Sequence, residues 1–234
     1  MQTQFKLGHI KVDVAFKDIK NVHLSVYPPN GAVRISAPNR MKVDTVRVFA
    51  ISKLDWIKRQ QKKLRSQDRE APRDYITKES HYLFGERYIL QVNETSKKQS
   101  IELKHRKIVL NIKPNTSKEK KELIFEGWYK EQLAIKIQPM LLKWEKKLKC
   151  KAKLLRIRKM KTKWGNCDYK NKAITLNLEL AKKPLDCIEY IIVHEMAHLI
   201  EPNHSDRFIA IMNNNLPQWR FFREKLNMLP IRYN

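Results

Sequence analysis

The chain has 234 residues, 42% of them hydrophobic, enough for one large or two small packed domains and too many for wholesale disorder. Lys and Arg number 49 against 24 Asp and Glu, a formal net charge of +25. That balance points to a polyanionic neighbour (nucleic acid, ribosome, nucleotide or acidic protein) or to a solvated lysine-rich surface.

Three cysteines, Cys150, Cys167 and Cys187, make an odd count without CxxC spacing, which argues against a disulfide framework. The N-terminal MQTQFKLGHIKVDVAFKD lacks the apolar run of a signal peptide. The longest near-uninterrupted apolar stretch, Ile188 to Val193, is too short to span a bilayer. These features predict a soluble, cytoplasmic chain with no membrane partner. With five glycines and no Gly/Ser tract, any two domains are expected to pack together rather than be tethered. The sequence carries no signal for oligomeric state.

From His9 to Ser36 the runs IKVDVAFKD, VHLSVYP and AVRISAP alternate, with turns at Lys20-Asn21 and Pro28 to Gly31, the pattern of a strand meander. From Val43 to about Gln67 the apolar residues Val46, Phe49, Ala50, Leu54, Ile57 and Leu64 take helical spacing. Lys53, Lys58, Arg59, Lys62 and Lys63 form the opposite face, read as solvated. Three further strands are expected at HYLFGERYILQVN, SIELKH and KIVLNIK. A long helix from about 117 to 149 opens at Asn115-Thr116-Ser117 and should kink or break at Pro139.

Residues 146 to 163 hold ten Lys/Arg and no acid. Within and beyond them, LLRIRKMKTKW and AITLNLEL read as an antiparallel pair flanking the WGNCDYKNK loop. Pro184 and Asp186 start a helix, and two shorter helices at about 204–214 and 217–227 close the chain. Trp219, Phe221 and Phe222 in the last of these read as core. No internal repeat is evident. The expected fold is α+β, with an N-terminal β-rich portion over residues 1–115 and a C-terminal core over 116–234, tightly packed or a single unit.

His194 and His198 lie four apart in a helix, so both imidazoles project from one face and can reach one metal ion. Glu195, beside the first, points to a neighbouring sector from which it can act on metal-bound water. The helix is apolar nearly all round, through Ile188, Ile191, Ile192, Val193 and Ala197. Two His and a Glu inside it would be costly without a metal or hydrogen bonds to satisfy them. Pro202 ends the helix, and Asn203 favours a turn that returns His204 as a third ligand. The spacing of the three histidines equals that of the metzincin pattern, although Glu201 stands in place of its glycine. Three protein ligands leave the fourth position open, as in catalytic Zn2+ sites. The other reading makes His204 an N-cap neighbour of the helix at Ser205-Asp206.

The segment VHEMAHLIEPNHSDRF, preceded by KMKTKWGNCDYKNKAITLNLEL, resembles the YgjP-like metallopeptidase family over most of the chain, most strongly from Lys159 to Trp219. Its HExxH…PxHxxxF layout is similar to that of the SprT-like proteases that cut DNA-bound proteins. The resemblance implies zinc on His194, His198 and His204, with Glu195 catalytic. It also implies that the loop at Trp164-Gly165-Asn166-Cys167 lies beside the catalytic helix. Lys163 and Asn166 stand where Arg and Ser are more usual. A nucleoside-triphosphate pyrophosphatase activity is likewise attached to the family.

Read from the residues, Lys163, Asn166 and Tyr169 are candidates to stabilise an oxyanion, and the 159–180 pair can receive a peptide by strand addition or simply cover the helix. Cys167 reads as a small buried hydrophobe. The expected function is therefore a zinc metallopeptidase acting on polypeptides, with residues 116–234 as its zincin-type metallohydrolase core. The alternatives are a metal-dependent nucleoside-triphosphate pyrophosphatase and a nucleic-acid-associated protein with a structural zinc. The basic surface can carry nucleic acid or nucleotide in any of them.

Overall fold

The computed structural model describes residues 2–27, 30–66 and 72–230. Pro28, Pro29 and Gln67, expected in a turn and a helix end, lie outside these residues, as does the Lys63 side chain. Backbone contacts divide the chain into one unit within residues 1–69 and another within 70–232.

In the first unit, alternating Phe5 and Leu7 place β1 (Gln2–Leu7) at the start of the chain, a strand the sequence pattern left unassigned. β2 (Ile10–Lys17), β3 (His23–Tyr27) and β4 (Ala32–Pro38) are the three alternating runs. They do not form a meander. The sheet order is β1-β2-β4-β3, with β4 parallel to β2 (Val12 opposite Val33) and antiparallel to β3. The expected single helix is two, α1 (Val43–Ser52) and α2 (Leu54–Ser66), interrupted at Lys53. Val46, Ala50 and Ile57 from these helices close a core with Phe5, Ile10, Val12, Val14, Val33, Ile35 and Ala37.

The second unit opens with β5 (Ser80–Leu83), β6 (Glu86–Glu94), β7 (Ser100–Lys104) and β8 (Lys107–Ile112). HYLFGERYILQVN is thus a hairpin rather than one strand, turning at Phe84-Gly85 with both residues at positive φ. The order β5-β6-β8-β7 repeats that of the first sheet, with the same antiparallel, parallel, antiparallel senses, and again a helix follows. The chain therefore carries one ββββα arrangement twice. Only strand alternation is shared, so no repeat is visible in the residues themselves.

α3 (Lys118–Leu148) is capped by Ser117, whose Oγ accepts from the Lys120 N–H at 3.3 Å. It runs through Pro139 without the expected interruption. Proline forfeits the bond to the carbonyl of Ile135, and Ile135 is 62% exposed, so water can take the donor's place there.

β9 (Leu154–Arg158), β10 (Gly165–Asp168) and β11 (Ala173–Asn177) form a third sheet in the order β10-β11-β9. The expected pair is present but parallel: Leu154 faces Ala173 and Arg158 faces Asn177. The antiparallel partner of β11 is β10, which the loop itself contributes. A 3-10 turn (Leu178–Lys182) then leads to α4 (Leu185–Ala197), α5 (Asp206–Asn215) and α6 (Trp219–Met228).

The sheet of β5–β8 buries Leu83, Leu90, Ile108, Leu110 and Ile112 in one core with Phe125 and Leu133 of α3 and Ile188 and Ile192 of α4. That core joins the β5–β8 sheet to the helices that follow it, within the unit of residues 70–232. The architecture is mixed α and β. No helix among the described residues is long and apolar enough to cross a membrane.

Candidate metal centre

α4 begins at Pro184, whose fixed φ suits a helix start. Asp186 in its first turn accepts from the Cys187 N–H at 2.8 Å and from Lys225 Nζ of α6 at 2.5 Å. Cys187, Ile188, Ile191, Ile192, Val193, Met196 and Ala197 are all buried, so the helix is held on most of its circumference. His194 and His198 stand one turn apart at its C-terminal end.

The helix stops at Ala197, and Glu201 to His204 reverse the chain before Ser205 caps α5, its Oγ accepting from Phe208 N–H at 3.4 Å. His204, next to that cap, is brought back over α4 until its Nε2 is 3.2 Å from Nε2 of His194. One potential ligand atom from each of the three histidines lies within 4.8 Å of the others, the one such group among the described residues. His198 Nδ1 faces the Glu201 carbonyl at 3.1 Å. A proton on Nδ1 donates to that oxygen and leaves Nε2 with a free lone pair.

Two neutral imidazole nitrogens in contact repel unless a proton or a cation lies between them. The three rings therefore fit a metal ion. Burial, reinforced by His198 and His204, takes the His194 pKa down to about 3. Burial also lowers His198, against the opposing pull of the Glu201 carbonyl.

Phe208, 1% exposed, forms the floor. Its ring stacks on His198 at 4.6 Å and meets His194 and His204 edge-on at 5.1 and 4.8 Å. Phe208 belongs to the quoted VHEMAHLIEPNHSDRF segment, and its spacing of four from His204 puts the two on one side of the turn entering α5.

Glu195 is 5% exposed, and burial pushes its carboxyl up to about 8, with the Lys163 charge pulling the other way. Its other wall is Gly165 on β10. A Cβ there would sit 2.5 Å from Glu195 Oε1 and 2.7 Å from its Cγ. The loop at 164–167 thus lies against the helix as the resemblance implied, and it needs a glycine at the point of contact.

That loop is fixed by Asn177, 4% exposed at the end of β11. Its amide donates to the carbonyls of Met160 (2.9 Å) and Lys163 (2.8 Å), and its Oδ1 accepts from the N–H groups of Met160 and Glu179. In the sequence Asn177 is one polar residue within an alternating strand, with nothing to mark this role.

Of the oxyanion candidates, Lys163 and Asn166 are neighbours, Nζ to Oδ1 at 3.5 Å, while Tyr169 lies exposed beyond β10. Burial, followed by the Glu195 and Asp168 charges, pushes the Cys167 thiol up to about 12 and keeps it a thiol. Trp219 is buried and Phe222 packs on the core, but Phe221 is 60% exposed. Part of the basic stretch is neutralised within the fold, with Lys159 paired to Glu126 at 2.6 Å and Glu122 at 3.3 Å.

A helix presenting two histidines and a buried carboxylate, with a third histidine returned by the next turn, has the makings of a metal-dependent hydrolase. Comparison with known families agrees: residues 20–229 match the model described as "YgjP-like, metallopeptidase domain". The chain belongs to the YgjP-like metallopeptidase family.

Among solved structures it is similar to the metallopeptidase zymogen abylysin of Pyrococcus abyssi, at 22% identity and a TM-score of 0.37, covering 41% of this chain and 99% of that one. It is also similar to the metallopeptidase zymogen jannalysin of Methanocaldococcus jannaschii, at 22% identity and a TM-score of 0.36, covering 39% and 87%. A comparison with curated proteins gave no match.

Proposed function

We propose that this chain is a zinc-dependent endopeptidase of zincin type, with His194, His198 and His204 as the metal ligands and Glu195 as the general base. The observation that carries the reading is the convergence of three imidazoles beside a buried carboxyl group. Bound there, zinc would supply Lewis-acid polarisation of a scissile carbonyl.

The chain's own residues account for the rest. The Glu201 carbonyl orients His198, and Phe208 supports all three rings from below. Glu195 takes a proton from the attacking water and returns it to the leaving amine. Its raised pKa describes the metal-free chain, and a divalent charge close by acts to lower it. Lys163, held through its backbone by Asn177, is the cation placed to meet negative charge developing near Glu195. β10 is an edge strand, so an extended peptide can pair with it alongside the centre.

The test is Glu195→Gln assayed on an unfolded casein-type substrate, with metal content measured alongside. Zinc at about one per chain with cleavage abolished is the expected result; a variant that still cleaves would sink the assignment. Parallel assays on UTP and ATP, with and without chelator, distinguish phosphoanhydride hydrolysis. Zinc retained with no turnover of any substrate would make the metal structural.

A further inference from the structure

The geometry points to a second site on the first unit, a binding face for single-stranded RNA on the side of the β1–β4 sheet turned away from its helices. One face of this sheet is closed by α1 and α2 over Val12, Val14, Val33 and Ile35. The strand registers put Gln4, Asp13, Arg34 and Ser25 in one row across the other face, with Ala15 and Ser36 paired in the next. Small side chains at the centre and long ones at the sides leave an open trough of about 750 Å³.

Three features of that trough specify a ligand. The first is charge. Along the strands the face presents Lys6, Lys11, Lys17 and Arg34 against the single carboxylate of Asp13. Residues 1–69 as a whole hold fifteen Lys/Arg against five Asp/Glu. A polyanion is the complementary partner.

The second is a flat platform. The Arg34 guanidinium lies 5.3 Å from the centroid of the Tyr27 ring, which is itself exposed on the edge strand β3. An aromatic ring beside a planar cation is the surface on which an unpaired base stacks, and a duplex offers no such base.

The third is an exposed acceptor. The Asp13 side chain is 40% exposed, and its Oδ2 stands 3.9 Å from Arg34 Nε, too far for a hydrogen bond, so a donor on a ligand can reach it. A polyphosphate backbone offers none, but the ribose 2′-hydroxyl does, and so does a base amino group. Phosphates on the lysines, a base on Tyr27 and a ribose hydroxyl on Asp13 together describe RNA in a single strand. An acidic polypeptide supplies the charge and hydrogen-bond donors but no regular series of planar bases to stack.

Fluorescence anisotropy of the full-length protein with a labelled single-stranded RNA of about twelve nucleotides tests this. DNA of the same sequence and the corresponding RNA duplex serve as comparators. The RNA strand should bind at least about tenfold more tightly than either comparator, by the loss of a hydrogen bond to a charged group. Arg34→Gln and Tyr27→Ala should each weaken it, Arg34→Gln with a shallower salt dependence.

Asp13→Ala is decisive because the two explanations predict opposite signs. Deleting a negative charge strengthens any purely electrostatic attachment to RNA and DNA alike. Deleting the acceptor of a ribose hydroxyl lowers RNA affinity to the level of DNA. Stronger binding of both by Asp13→Ala, indifference to Arg34→Gln and Tyr27→Ala, or equal competition by polyglutamate would each overturn the proposal. Circular dichroism of each variant guards against misfolding, with Asp13→Asn as the milder replacement. Peptidase turnover should be unchanged in all of them, since none of these residues touches the triad.

Discussion

Gly165 shows how much a single missing side chain can determine. It lies outside the left-handed region, so its replacement meets no conformational barrier; the obstacle is the Glu195 carboxyl group, which would have to shift to relieve a 2.5 Å contact. Gly165→Ala should therefore retain metal and lose cleavage by about a hundredfold, as expected for a displaced catalytic group. Metal analysis and kcat/KM on one preparation check this, and normal turnover would refute the contact.

Glu195 makes a separate prediction for the metal-free chain. Its folded pKa of about 8 lies above the ordinary value of 4.5. Between those values the folded state holds a proton that the unfolded state has released, so stability falls as pH rises. Metal-free Glu195→Gln lacks this dependence. Its advantage over wild type should grow by at most about 1.4 kcal/mol per pH unit across that window and level off above it. Urea denaturation at several pH values measures it.

His194, Glu195 and His198 were legible in the sequence because helical spacing places them, and His204 because Pro202 ends that helix and lets the chain turn back. Gly165 and Asn177 were not, since their roles depend on which strand lies against α4, and that is set by long-range packing.

Elements with a period of 3.6 were placed within a few residues of where they are found, and α3 was placed most closely because Ser117 announces its start. Strand partners were less legible. Alternation in β9 and β11 says that each is a strand and nothing about direction; the parallel pairing follows from the loop supplying β10 as the antiparallel partner. The break at Lys53 is likewise invisible in a pattern that stays apolar across it.

At the start of α4 the Asp186 carboxyl is raised by burial. Hydrogen bonds from Lys225 and the Cys187 N–H outweigh that and hold it below the ordinary carboxylate range. An acid with a depressed folded pKa contributes stability above its unfolded value and loses it as pH falls through the folded one. Thermal unfolding of wild type and Asp186→Asn should thus differ near neutrality and converge once the pH falls well below 3.8. A difference that persisted in acid would assign Asp186 to packing instead.

For the molecule as a whole, the division at 69/70 is the result with most practical weight. The core around the metal centre draws its buried residues from Tyr75 onward and uses the whole β5–β8 sheet. A fragment beginning at residue 70 should fold cooperatively and keep the metal. One beginning at 116, without Leu83, Leu90, Ile108, Leu110 and Ile112, should be insoluble or molten. Metal content and near-ultraviolet dichroism of the two fragments decide between the boundaries.

The duplicated ββββα arrangement also leaves two turns in corresponding places, Gly8 after β1 and Gly85 after β5. Both are left-handed, so each favours glycine for its backbone. Nothing lies within 4 Å of the Cβ position at Gly8. At Gly85 that position is 2.9 Å from Pro184 Cγ, and the adjoining N–H groups of Phe84 and Gly85 bond to Ala181 and Lys182. An asparagine, which tolerates the left-handed region, should pass unnoticed in the first copy and dislodge the entrance to α4 in the second. Mutational drift is thus free at one turn and checked at its twin, and a survey of natural variants would read the history of the two copies as an asymmetry between two glycines.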